Sequence, residues 1–214
     1  MKEQEILQSL NNIGAVITNS HIVYTSWKHG SAYINKDAVY PNVNLTSRLC
    51  SLIADHFRDE NLYGIEAVVA PAVGGVILCT WIAYWLEQLT GRRALAIYAE
   101  KSNDGEKFVF NRGYDKLVAD RRILIVEDVL TTGGSVKKVV EATRALGGKI
   151  LGVGALCNRG NVMPQDVTAP EIFSLISVKM DMWDEPDCPL CKTGVPINTD
   201  VGKGKEYLAK KAAK

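Results

Sequence analysis

The 214-residue chain has no uninterrupted apolar run of the roughly 18 residues that a membrane-spanning helix needs; its longest candidate, Ala67 to Leu86, is broken by Pro71, Gly74 and Gly75. That stretch reads instead as strand, loop and buried helix. The first residues, MKEQEILQSLNN, mix acidic and basic groups and form neither an apolar nor an arginine-rich leader, so a cytoplasmic location is expected. A formal net charge of +1 excludes a strong non-specific attraction to nucleic acid or to an anionic membrane. The phosphate loop of the form GxxxxGK(S/T) is absent, which argues against an ATP-driven enzyme. Five cysteines are an odd count, and Cys50, Cys79 and Cys157 sit in apolar stretches where a thiol is a small hydrophobe. A disulfide framework is not expected.

What remains is ordinary for a globular enzyme: 47% hydrophobic and 23% charged residues in a chain long enough for one domain with a good core. Glu3 to Asn12 has helical spacing at Ile6, Leu7 and Leu10, and Ala15 to Lys36 is β-rich with polar turns. Thr46 to Phe57 is a second helix. From there strands and helices alternate: Glu66 to Ala70, Val76 to Leu89, Arg93 to Ala99, Ile123 to Val126, Val136 to Leu146, Lys149 to Cys157, and a last strand within Glu171 to Val178. The expected class is α/β, a mostly parallel central sheet with helices on both faces plus a small β-rich hood.

The most informative stretch is Arg122 to Ser135, RILIVEDVLTTGGS. An apolar strand, Ile123-Leu124-Ile125-Val126, delivers Glu127 and Asp128 to its carboxyl end, where open α/β sheets bind ligands. Thr131-Thr132-Gly133-Gly134-Ser135 then supplies hydroxyls, two permissive glycines and a helix N-terminus whose free N–H groups suit a phosphate. Carboxylates would repel a bare phosphate. The fitting ligand carries a polyol for the acids and a phosphate for the loop, as a ribose 5-phosphate does.

ILIVEDVLTTGGS resembles the phosphoribosyl-pyrophosphate (PRPP) signature of type I phosphoribosyltransferases, and its TTGGS ending looks most like the orotate branch. TSWKHGSAYINKDAVYP, APAVGG, YAEK and CPLCKTGVPIN extend the resemblance over nearly the whole chain. It implies a Mg²⁺-dependent transfer of the 5-phosphoribosyl group from PRPP to orotate, in a homodimer with shared active sites and no nucleic-acid or membrane partner. Alternatives are a purine phosphoribosyltransferase and a PRPP-sensing regulator. The implied layout is one domain over 1–214, with a hood contribution from 1–40, a flexible flap at 100–120 and a basic tail at 203–214.

By the resemblance, Glu127 and Asp128 are catalytic together with Lys101. PRPP is held by Glu127, Asp128, Val129, Leu130, Thr131, Thr132, Gly133, Gly134 and Ser135, by the flap cations Lys107 and Arg112, and by Val73 and Gly74 at the pyrophosphate. Thr131 and Arg159 take orotate, since an arginine fork suits a planar carboxylate. Three positions and the flap depart from the family pattern. Thr25 and Trp27 stand where relatives carry Lys and Gly, leaving Lys28 and Lys36 as nearby cations; Gly74 replaces a common Lys; and the flap has no His. Trp81, Tyr84 and Trp85 at helical spacing read as core or subunit interface. No metal ligands are assigned: Cys188 and Cys191 supply two of the four a structural zinc wants, and His21, His29 and His56 lie far away in sequence, leaving a zinc shared across a dimer as the other reading.

Overall fold

The computed structural model describes residues 1, 3–58, 64–178 and 180–213. Helix α1 (Glu3–Asn12) leads into four two-residue strands, β1 (Val16–Ile17), β2 (Ile22–Val23), β3 (His29–Gly30) and β4 (Tyr33–Ile34), which pair as β1 with β4 and β2 with β3, both antiparallel. These form the hood. Helix α2 (Val43–Phe57) starts one turn earlier than its apolar pattern, because the Asn42 side chain accepts a hydrogen bond from the Leu45 amide and caps it.

The central sheet is assembled next. Strand β5 (Ala67–Pro71), helix α3 (Val76–Thr90), strand β6 (Leu95–Lys101), strand β7 (Phe108–Val109), helix α4 (Asp115–Val118), strand β8 (Arg122–Leu130), helix α5 (Gly134–Ala145), strand β9 (Lys149–Asn158) and strand β10 (Ile172–Ser177) follow in order. The sheet order is β10-β9-β8-β5-β6-β7, parallel except for β7, which turns back on β6. Alternation along the buried strands sorts two cores. Leu124, Val126, Val68 and Ala70 face α2 and α3, while Ile123, Ile125, Ala67 and Val69 face Val136, Val139 and Val140 of α5. The sheet therefore has helices on both faces.

The flap contains an antiparallel hairpin followed by the short α4, with Glu100 opposite Val109 and Lys101 opposite Phe108. Two expectations are corrected. Strand β8 does not stop at Val126: its pairing with β9 continues to Leu130, so Glu127 and Asp128 lie within the strand rather than after it. Second, the chain after β10 folds back on the hood. Helix α6 (Pro189–Lys192) follows, and the expected basic tail is largely helix α7 (Gly204–Ala212), with Tyr207 buried edge-to-face against His29; Lys214 lies outside the described residues. Trp183 exchanges two backbone hydrogen bonds of 2.8 Å with His29, and Asn198 and Lys203 donate backbone bonds to His21 and Val23. This return brings His21 and His29 to Cys188 and Cys191, which sequence distance had kept apart. His56 is elsewhere, stacked on Phe173. Among the described residues no helix is long and apolar enough to cross a membrane.

Candidate active site

The carboxyl edge of the sheet opens into adjoining cavities under the hood. The first, of about 470 Å³, is lined by the loop from Leu130 to Ser135 together with Glu127, Arg159 and the hood residues Thr25, Ser26 and Lys28. Gly133 makes this loop: its φ of 73° is the left-handed region, and a Cβ there would run into Val162 and Val167. Thr132 Oγ1 accepts from the Gly134 amide at 3.3 Å, which tightens the turn into α5. Thr131 to Val136 line the cavity, and the first-turn amides and dipole at this N-terminus of α5 favour negative charge there.

The second cavity, about 210 Å³, shares Thr25, Val129, Thr131 and Arg159 with the first and adds Tyr24, Tyr33, Lys36, Asp128 and Gly202. Arg159 follows β9 directly. Its Nε donates to Thr131 Oγ1 at 3.0 Å, and its guanidinium lies 4.5 Å from the centre of the Tyr24 ring. Tyr24 is itself fixed by donating from its hydroxyl to Ala32 O at 2.6 Å, and burial raises its pKa. The guanidinium is thus stacked on one side and hydrogen-bonded at one nitrogen.

At the other end Asp128, buried at 6% exposure, binds Lys36 Nζ at 2.7 Å and accepts from the Tyr40 hydroxyl at 3.2 Å. Tyr40 also lies 2.7 Å from Gly74 O. Burial works against the Lys36 charge, yet the hydrogen bond and negative charge of Asp128 hold its ammonium above the ordinary lysine value. Burial, reinforced by the Asp128 charge, pushes the Tyr40 hydroxyl far above its ordinary range, so it remains a donor. Burial likewise pushes the Glu127 carboxyl up to about 8, with the Asp128 charge adding to the shift. A third cavity of about 620 Å³ continues from Lys36 and Tyr40 along Ala72, Val73 and Gly74, where the Ala72–Val73 peptide is cis. A Cβ on Gly74 would meet Asp128 and Lys36 Nζ.

The structure therefore brings Glu127 through Ser135, Arg159, Val73 and Gly74 to one continuous edge. It does not bring the flap cations there. Lys101 and Lys107 are exposed on the hairpin and line none of these cavities, and Arg112 is exposed beside Glu100 at 3.5 Å. Tyr24, Tyr40 and Met182 line or brace the site, although nothing in the sequence pattern marks them. Tyr24 is adjacent to the hood motif and Tyr40 lies near its end, but a tyrosine in an apolar stretch gives no sign of which partner its ring or hydroxyl meets.

An open, mostly parallel α/β sheet with a carboxylate pair and an anion cradle at one strand end defines a sugar-phosphate-handling enzyme of the phosphoribosyl-transfer class. A phosphoribosyl transferase domain family model matches residues 35–185. An orotate phosphoribosyltransferase of Caldanaerobacter subterraneus is 33% identical over 92% of this chain and 96% of its own, and one of Desulforamulus reducens is 33% identical over 92% and 95%. Among solved structures, the orotate phosphoribosyltransferase of Aeropyrum pernix superposes with a TM-score of 0.64 at 22% identity, over 80% of this chain and 93% of that one. The adenine phosphoribosyltransferase of Thermoanaerobacter pseudethanolicus gives 0.59 at 17% identity, over 80% and 99%, so the fold is common to both branches. The chain belongs to the orotate phosphoribosyltransferases of the type I family.

Proposed function

We propose that the protein transfers the 5-phosphoribosyl group of PRPP to orotate, giving orotidine 5-monophosphate and pyrophosphate. The observation that carries this reading is Arg159, stacked on Tyr24 and tied to Thr131 one residue beyond the strand that adjoins the carboxylates. A fork held there can take a planar base carboxylate while Thr131 to Ser135 take the 5-phosphate.

In this reading the phosphate cradle fixes one end of PRPP, so the base nitrogen and C1 are held for attack. The base nitrogen gives up its proton to the departing pyrophosphate and its electron pair forms the C1–N bond, as the C1–O bond breaks and that bond's pair leaves on pyrophosphate. Asp128, and Glu127 once the approaching positive charge offsets the burial that raises its pKa, face the ribose and stabilise positive charge developing at C1, as carboxylates do in other glycosyl transfers. The pyrophosphate lies along Ala72 to Gly74. Lys36, reaching the space that the missing Gly74 side chain leaves open, supplies the cation that relatives carry on that loop. Mg²⁺, when bound, would neutralise the leaving diphosphate; Glu127 beside the cavity offers the single hard carboxylate that such an ion takes alongside substrate oxygens, Asp128 being engaged by Lys36 and Tyr40.

Lys101, Lys107 and Arg112 reach pyrophosphate only if the hairpin moves or serves a second subunit. Ile77 and Tyr84 stand exposed on α3 while Trp85 turns inward, donating from its indole nitrogen to Ser47 Oγ at 3.1 Å. That outward stripe supports a homodimer with shared sites. The test is the absorbance change on mixing protein, Mg²⁺ and PRPP with orotate, then with adenine, hypoxanthine, guanine and uracil. Consumption of orotate alone is expected; turnover of a purine, or PRPP binding with no turnover, would overturn the reading.

A further inference from the structure

The two ends of the chain meet at a cluster that phosphoribosyl transfer does not use. One ring nitrogen each of His21 and His29 and the sulfurs of Cys188 and Cys191 all lie within 4.8 Å of one another. We propose that these four side chains bind one tetrahedral Zn²⁺ that clamps the C-terminal segment onto the hood and so fixes the base-side wall of the active site.

The geometry is close to a finished site. His21 Nε2 is 3.6 Å from each sulfur and His29 Nδ1 is 3.3 Å from Cys191 Sγ. With ordinary zinc–nitrogen and zinc–sulfur bonds, the nitrogen–sulfur edge of the tetrahedron is about 3.5 Å. The two imidazole nitrogens, 2.8 Å apart, are closer than the roughly 3.3 Å edge expected and would part slightly around the ion. His21 Nδ1 lies 2.7 Å from Val195 O, a contact it can make only as a donor. That leaves the Nε2 lone pair directed at the cluster, the outer hydrogen bond that commonly orients a zinc-bound histidine.

The chemistry of the donors selects the metal. Two sulfurs and two imidazoles suit zinc and not the oxygen-seeking magnesium of the transfer reaction. His21, His29 and Cys188 are at most 2% exposed, and both cysteines are free thiols. The CxxC segment is held as a tight turn by its own backbone. Cys188 O accepts from the Lys192 amide at 3.2 Å, Cys191 O accepts from Gly194 at 3.1 Å, and Gly194 has the positive φ of 69° that closes the turn.

The position gives the ion a consequence. Between the two histidine ligands run Thr25, Ser26 and Lys28, and Met182 precedes Cys188 by a short segment; all four line the phosphate-cradle cavity. Strands β2 and β3 have two residues each, too few to hold that wall on backbone hydrogen bonds alone.

The test uses the full chain produced with zinc in the medium. About one zinc per chain is expected, and cobalt in its place should show the visible bands of a tetrahedral ion with thiolate charge transfer. Cys188→Ser and His21→Asn should lose the metal, whereas His56→Gln should keep it. Because a ligand variant can fail to fold, the unaltered protein is also treated with a chelator. Its melting temperature should fall and recover with Zn²⁺ but not with Mg²⁺. Zinc far below one per chain after reconstitution, a six-coordinate cobalt spectrum, or a Cys188–Cys191 disulfide in the fresh protein would overturn the proposal.

Discussion

The two walls of the active site are built on different principles. The phosphate side comes from one continuous stretch: the nine residues of β8 in mid-sheet, paired with β9 along the strand and with β5 at Ile123 to Ile125, then the Thr131–Ser135 turn and α5. Its strand is buried on both faces, so register and side-chain direction are set by the whole sheet. The base side is a patchwork. Two-residue strands, a returning C-terminal segment and a handful of backbone bonds position Tyr24, Thr25 and Lys28. A rigid wall can hold the invariant part of the substrate, the ribose 5-phosphate. The patchwork wall meets the part that differs between members of the class, the base, and here it depends on contacts made across almost the whole chain length.

The most damaging test of this division falls on the shared edge. Asp128→Asn keeps the shape of the strand but removes the charge that holds Lys36 and Tyr40. Turnover should fall about 10²- to 10³-fold, the scale of losing one preorganised electrostatic contact at a reacting centre. PRPP affinity, measured by calorimetry, should change far less, because the cradle is untouched. Equal losses in both would show that the carboxylate holds the substrate rather than acting on the transition state.

Arg159→Ala tests the base side and comes next in size. A charge-assisted hydrogen bond to a carboxylate contributes about 1.5–3 kcal/mol, so the Michaelis constant for orotate should rise roughly 10- to 100-fold. The constant for PRPP should barely move. An unchanged orotate dependence would remove Arg159 from the base pocket. Gly133→Ala is the matching test of the phosphate side: the left-handed φ and the crowding from Val162 and Val167 should distort the turn at a cost of about 1–3 kcal/mol. PRPP binding should weaken about tenfold while the orotate constant holds, reversing the pattern of Arg159→Ala.

Why one wall was legible in the sequence and the other was not follows from the same contrast. Glu127 to Ser135 are neighbours along the chain, and strand, turn and helix periodicities order them without knowledge of tertiary structure. Even there the strand end was misplaced, because pairing with β9 carries β8 through the acidic pair. The hood's strands were visible only as a β-rich region, since two residues give no period. The link from His21 and His29 to Cys188 and Cys191 spans most of the chain and could not be inferred from spacing. Spacing offered Lys36 and Lys28 alike as replacement cations, and only the structure separates them: Gly74 leaves room for the Lys36 ammonium beside Asp128.

The flap belongs to neither wall, and the smallest effect is expected there. Arg112 has a positive φ, is exposed, and meets Glu100 at 3.5 Å, a separation at which an exposed ion pair adds little to stability. If the hairpin only protects the sheet edge, Arg112→Ala should leave both melting temperature and rate unchanged. If it closes on pyrophosphate, the melting temperature should stay within about 1 °C while turnover falls a few-fold, because an electrostatic contact made only during reaction appears in the rate and not in the resting fold. The second outcome is the one expected from the cations the hairpin carries. Mixing Arg112→Ala with Asp128→Asn subunits sharpens it: each variant lacks a different part of a site shared between subunits. Activity above the mean of the two parents would place the flap of one subunit over the carboxylates of the other.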